Sequence, residues 1–147
     1  MPSGYNGGDI PARDNIHAAV RNALVKDGWT VTHDPLRLRF EQQDLYVDLG
    51  AERLLGAEKG TRKIAVEIKT FLSPSEMADL QQAAGQFALY RLVLERIEPE
   101  RELYLAVPQD VAGRVFRRTV GRLFVESRQI KVIGVNIESE EVAEWIL

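Results

Sequence analysis

The chain contains no cysteine, which excludes a disulfide framework, a thiolate metal site and a cysteine nucleophile. It has no apolar run near the ~18 residues that a membrane span requires, so no membrane association is expected. Its first residues lack a basic stretch followed by an apolar one; no secretory signal is read, and the cytoplasm is the expected compartment. Nor is there an excess of positive charge. The 19 Lys and Arg stand against 22 Asp and Glu, a net charge of −3. A dedicated DNA binder is usually basic. Any nucleic-acid contact therefore has to come from a local basic patch, a partner or metal ions.

What is present describes an ordinary folded protein. A length of 147 residues suits one compact domain, and 45% hydrophobic with 28% charged residues is a globular composition. Residues 1–11 hold three glycines and two prolines without an apolar period and read as a flexible arm; one domain is expected over 12–147. Ile16, Val20, Ala23 and Leu24 mark an amphipathic helix from Asp14 to Lys26, stopped by Gly28. Trp29 to Leu38 is β-like, broken at Asp34-Pro35. Asp44 to Ala57 alternates as one half-buried strand. After a turn at Lys59 to Arg62, Lys63 to Phe71 reads as the next strand, with Ile64, Val66 and Ile68 on one face and Ala65, Glu67 and Lys69 on the other.

Ser73-Pro74-Ser75-Glu76 predicts a helix start with Ser73 as cap, Pro74 in the first position and Glu76 closing a capping box; the helix should run to about Arg96. Gly85 inside it costs about 1 kcal/mol relative to alanine and suggests close packing on the sheet. Leu103 to Val107 is a strand. Asp110 to about Glu126 is helical, with a break near Gly121; Ile130 to Ile137 and Val142 to Ile146 are strands joined by the turn at Glu138 to Glu141. The order α-β-β-β-α-β-α-β-β predicts a mixed α+β fold with one central mixed sheet flanked by helices.

The chemistry-bearing residues gather around one strand. Glu67 and Lys69, two apart, share a face, and the acid Asp48 lies on the preceding strand, where a hairpin can bring it alongside. Phosphodiester hydrolysis needs a hard cation to neutralise charge and acidify a water, and a cation such as Mg²⁺ takes a few carboxylates while keeping several waters. Asp48 and Glu67 suit such a cation (Mg²⁺ or Mn²⁺), the main-chain carbonyl of Ile68 can add an oxygen, and Lys69 can orient a water or stabilise developing charge. The opposing reading is a solvated strand face with an ion pair. Gln86 and Tyr90 share the next helix's face at i, i+4. They can hold a water or phosphate oxygen, or simply satisfy one another.

Asp48, Glu67-Ile68-Lys69 and Gln86-x-x-x-Tyr90, in an α-β-β-β-α-β order, resemble the PD-(D/E)xK nuclease superfamily of restriction-endonuclease-like folds, and the last element is similar to its RecB-type branch. More closely, Ala12-Arg13-Asp14, Asp27-Gly28-Trp29, Thr32-His33-Asp34-Pro35, the run from Asp48 to Arg53, the run from Lys63 to Lys69 and the run from Leu103 to Pro108 resemble the XisH family, the fdxN element excision controlling factors of cyanobacteria. The resemblance covers Ala12 to the C-terminus. It implies an αβββαβ core, Asp48 and Glu67 as metal ligands, Lys69 as catalytic lysine, and Gln86 and Tyr90 as supports. It also implies DNA and a small XisI-like protein as partners in excision of a DNA element, and a homodimer among the assemblies to consider. Val47 stands where the superfamily's name motif has Pro.

Several assignments stay open on sequence. Glu52 or Glu58 can replace Asp48 as first acid if the hairpin register differs. Asp14 and His17, at i, i+3, are either accessory groups near the metal or a dipole-favoured acid and a packed histidine. Asp34 can cap its own turn. On a helix, Arg114, Arg117, Arg118 and Arg122 fall on one face, for phosphate, a partner or solvent, with Phe116, Val120, Leu123 and Phe124 on the core side. The function is accordingly either a metal-dependent endonuclease or a nuclease-fold regulator that binds DNA or its partner.

Overall fold

The computed structural model describes residues 9–56 and 60–147. Helix α1 (Asp9–Lys26) turns its Ile16, Val20, Ala23 and Leu24 into the core, as their spacing requires. It starts five residues before Asp14 and takes in part of the segment read as an arm. Pro11 lies in its first turn, where the missing N–H removes no intrahelical bond. Gly28, at φ 97°, closes the helix with its N–H on the Val25 carbonyl.

Strands β1 (Thr30–His33), β2 (Leu36–Phe40), β3 (Gln43–Val47), β4 (Leu49–Gly56) and β5 (Gly60–Ile68) follow. β2 and β3 form a separate antiparallel hairpin, so the segment read as one strand from Asp44 onward is two strands in two sheets, parted at Asp48. Gly60 to Arg62, read as turn, is already strand. Helix α2 (Glu76–Ile97) leads to β6 (Arg101–Pro108). Next come the short α3 (Gln109–Val111), a π-helical turn (Ala112–Phe116), α4 (Thr119–Glu126), β7 (Val132–Asn136) and β8 (Glu141–Ile146). The main sheet has the order β1-β4-β5-β6-β7-β8, parallel only at β5-β6 and β6-β7. That is the mixed, helix-flanked architecture expected. No helix among the described residues is long and apolar enough to cross a membrane.

Each face of this sheet carries its own core. Ile64 and Val66 of β5 pack with α1, Trp29 and Tyr104; Ala65 of β5 and Leu103, Leu105 and Val107 of β6 pack with α2, the β2-β3 hairpin and the π turn. β6 is buried on both faces, which is why its sequence is a nearly unbroken apolar run rather than an alternation.

Three local expectations need correction. Helix α2 is capped by Ser75, whose Oγ accepts from the Ala78 N–H at 3.1 Å; Ser73 instead donates to Asp79 at 2.7 Å. The helical region after β6 is not broken at Gly121. The break falls at Arg117 and Arg118, and Gly121 lies inside α4 because a Cβ there would come within 2.1 Å of the Val115 carbonyl oxygen. Gly85 is exposed and a Cβ there would meet nothing within 4 Å, so the close packing expected of it is absent. Gly85→Ala should therefore raise stability by roughly 0.5–1 kcal/mol through helix propensity and a less free unfolded chain. Urea unfolding reads this directly; an unchanged or lower stability would refute the account.

Candidate active site

The β4-β5 register places Leu49 opposite Val66, and the next residues outward are Asp48 and Glu67. Two hydrogen bonds lock them together. The Asp48 N–H donates to Glu67 Oε1 at 3.2 Å, and the Ile68 N–H donates to Asp48 Oδ2 at 2.8 Å. Each carboxylate keeps its other oxygen without a protein partner among the described residues. Lys69 follows at the end of β5, where its N–H donates to the Ala106 carbonyl of the parallel strand at 3.0 Å.

Glu67 is only 7% exposed. Its pKa is pushed up to about 8, first by burial and then by the Asp48 charge, against a smaller lowering by Lys69. The Tyr90 hydroxyl is raised to about 12, again by burial first and then by Glu67 and Asp48. Tyr90 therefore stays protonated, a donor within the field of both acids. Gln86, one turn before it on α2, has a buried Oε1 without a partner among the described residues.

These features fit a hard divalent cation. Two neighbouring carboxylates have spare oxygens, and the buried one keeps its proton well above the usual carboxylate range because the protein's own groups do not compensate its ionised form; a cation would supply that compensation. No group of three or more His, Cys, Asp or Glu suited to a metal occurs among the described residues. A cation here would rest on Asp48, Glu67, the Ile68 carbonyl and water.

The acid pair opens into a cleft of about 760 Å³ lined also by His17, Lys69, the Thr70–Pro74 segment, Asp79 and Gln82. His17 Nε2 lies 2.8 Å from Asp34 Oδ1, and Arg21 bonds the same carboxylate. Asp34 thus ties α1 to the β1-β2 connection.

The family model for the XisH protein matches residues 10–143. The chain belongs to the XisH family. Two solved structures are similar to it, each with 38% sequence identity, a TM-score of 0.81 and complete coverage of its own chain. One is an XisH family protein from Nostoc punctiforme, matched over 91% of this chain; the other is an fdxN element excision controlling factor protein from Anabaena variabilis, matched over 92%. Comparison with curated proteins gives no match.

In this XisH chain the remaining sequence candidates disperse. Glu52 pairs across the hairpin with Lys63, well back from the cleft. Glu58 and the side chain of Asp14 lie outside the described residues. The arginines of 114–122 do not form one helical face, because the helix is interrupted between them. Arg114 pairs with Glu76 and Asp110, Arg117 with Glu144, and Arg122 with Glu126; Arg118 is exposed. Val120 and Leu123, expected in the core, are 46% and 56% exposed. Conversely, Asp79 and Gln82 escaped notice in the sequence. Their spacing to Gln86 and Tyr90, at successive helical turns on one side of α2, was the available signal.

Proposed function

We propose that this XisH chain is a metal-dependent phosphodiesterase of the PD-(D/E)xK type that cuts DNA in the excision of a DNA element. The observation that carries the reading is the acid pair itself. Asp48 and Glu67 are bonded across a hairpin at the mouth of a cleft, with Glu67 buried and Lys69 two residues on. A strand face that merely needed solubility would not bury a carboxylate beside another. The name of the Anabaena variabilis relative supports the biological setting.

Bound Mg²⁺ or Mn²⁺ would supply charge neutralisation at the phosphate and acidify a coordinated water. The protein's part is positional. Two backbone N–H groups hold the carboxylates, so neither has to reorient during reaction. Lys69 places a cation where it can orient the attacking water or meet the developing charge, and the protonated Tyr90 hydroxyl lies within the field of both acids.

A second reading, a regulator acting through DNA or an XisI-like partner, draws support from the arginines. Three of the four are engaged by acids of the same chain, so this stretch offers a duplex little free charge, and within this reading the protein partner is favoured over DNA. The discriminating experiment incubates supercoiled and linear DNA with the protein and Mg²⁺ or Mn²⁺, with and without an XisI-like protein. Nicking or cutting that Asp48→Asn removes supports the enzyme; partner or DNA binding without cutting in either arrangement supports the regulator.

A further inference from the structure

A second cavity, of about 160 Å³, lies among the C-terminal half of α2, the start of β6 and the α4-β7 connection. It sits at the opposite end of the parallel strands from the acid pair: Arg101 is level with Lys63 of β5, whereas Glu67 is level with Leu105 of β6. Four cationic side chains line it. Two are committed elsewhere: Arg101 donates to Glu98 and to the Ile64 carbonyl, and Lys131 donates to Glu102 at 3.0 Å.

The other two, Arg91 and Arg128, are unusual for independent reasons. Arg91 Nη1 donates to the Gln129 carbonyl at 3.2 Å, but its Nε is buried with no hydrogen-bond partner among the described residues. A buried guanidinium N–H without an acceptor is destabilising and rare. Arg128 ends α4 in a Schellman turn, its N–H donating to the Val125 carbonyl at 3.0 Å and the Gln129 N–H donating to the Phe124 carbonyl at 3.1 Å. The residue at that position has φ 61°, where glycine is the usual occupant because it carries no Cβ. The helix dipole favours a cation at this end, yet a basic residue in the last helical turn would serve that purpose without a left-handed backbone. An arginine held there, lining the same cavity as an arginine with an unanswered donor, points to a shared acceptor.

We propose that this cavity binds a phosphate group between Arg91 and Arg128. Guanidinium forks match phosphate oxygens in pairs, and a volume near that of a benzene-sized cavity (~150 Å³) accepts a phosphate but not a nucleoside. The acids on the lining sharpen the choice. Glu102 is already held by Arg62 and Lys131. Glu95, exposed and one turn beyond Arg91, opposes a polyanion laid across the opening. A free phosphate or a strand's terminal phosphate is therefore favoured over the middle of a duplex. The site stands apart from the acid pair and does not depend on it being catalytic.

The test uses the full chain freed of divalent metal on a chelating resin, at constant ionic strength. Titrants are inorganic phosphate, a 5′-phosphorylated oligonucleotide and the same strand without the phosphate. Saturable binding of phosphate, with a shift of the Arg91 Nε–H resonance, is expected. Arg91→Met and Arg128→Gly should each weaken it roughly tenfold or more. Arg128→Gly should keep the cooperative unfolding transition, because glycine suits the left-handed backbone, so its loss of binding is not a loss of fold. Tighter binding of the phosphorylated strand than of inorganic phosphate identifies a strand end as the ligand; equal binding identifies free phosphate. If neither inorganic phosphate nor the phosphorylated strand saturates, or if both variants bind as the natural chain does, the site does not exist.

Discussion

Lys69→Ala is expected to lower metal-dependent DNA cleavage by roughly 10²–10³-fold, the range typical of removing one preorganised electrostatic group from a reacting centre. Glu67→Gln should lower it at least as much, because it removes one of the two carboxylates that are bonded together at the site. The substitution is a clean one. The glutamine amide retains an oxygen for the Asp48 N–H, so the hairpin and the position of Asp48 are preserved while the charge is lost. Single-turnover cleavage at saturating Mn²⁺ separates the roles. A variant defective only in binding metal recovers as Mn²⁺ rises; one that has lost the lysine does not. The two substitutions combined should cost little more than the worse of them, since groups acting on one transition state are not additive. Cutting at the natural rate by both variants would exclude the acid pair as the reacting centre and favour the regulator.

The legible parts of this molecule were those where local pattern and tertiary context agree. The apolar stripe of α1, the unbroken apolar run of β6 and the alternation of β5 each specify a burial that the fold then supplies. So does the pairing of Asp48 with Glu67, because an antiparallel hairpin leaves few registers that bury Leu49, Ala51, Ile64 and Val66 together. The passage of the chain from the small hairpin to the main sheet at Asp48 was hidden, since a period of two runs through Leu45, Val47, Leu49 and Ala51 whichever sheet each belongs to. Glycine misled twice for one reason. Gly121 is crowded by a carbonyl oxygen from the preceding π turn and Gly85 by nothing, and sequence reports the missing Cβ without reporting what stands beside it. The arginines misled because a helical face was assumed across Arg117 and Arg118, where the helix is interrupted.

The same Glu67→Gln substitution that disables cleavage should stabilise the metal-free protein, and by an amount that grows with pH. Glu67 in the folded chain has its pKa raised from 4.5 to about 8, by burial first and by the Asp48 charge second. Between those values the folded state holds a proton that the unfolded state has released, so unfolding stability falls as pH rises. The sign is fixed: the contribution is fully present below about pH 4.5, is lost progressively through about pH 8, and changes no further above it. The total is on the order of a few kcal/mol. The proton is best assigned to the acid pair rather than to one oxygen, because the two carboxyls interact strongly. Urea unfolding of metal-stripped protein from about pH 4 to about pH 9, a window spanning both values, should show the natural chain and Glu67→Gln diverging steadily, the variant being the more stable at high pH. Asp48→Asn should show a smaller divergence from the natural chain, since it removes the neighbouring charge but leaves the burial. Added Mg²⁺ should reverse the trend for the natural chain alone: the cation displaces the shared proton, binds more tightly as pH rises, and restores stability where the empty site had lost it. Parallel stability curves for the natural chain and Glu67→Gln, with and without Mg²⁺, would mean that Glu67 is ionised and compensated by the protein itself, leaving no uncompensated charge for a cation to answer.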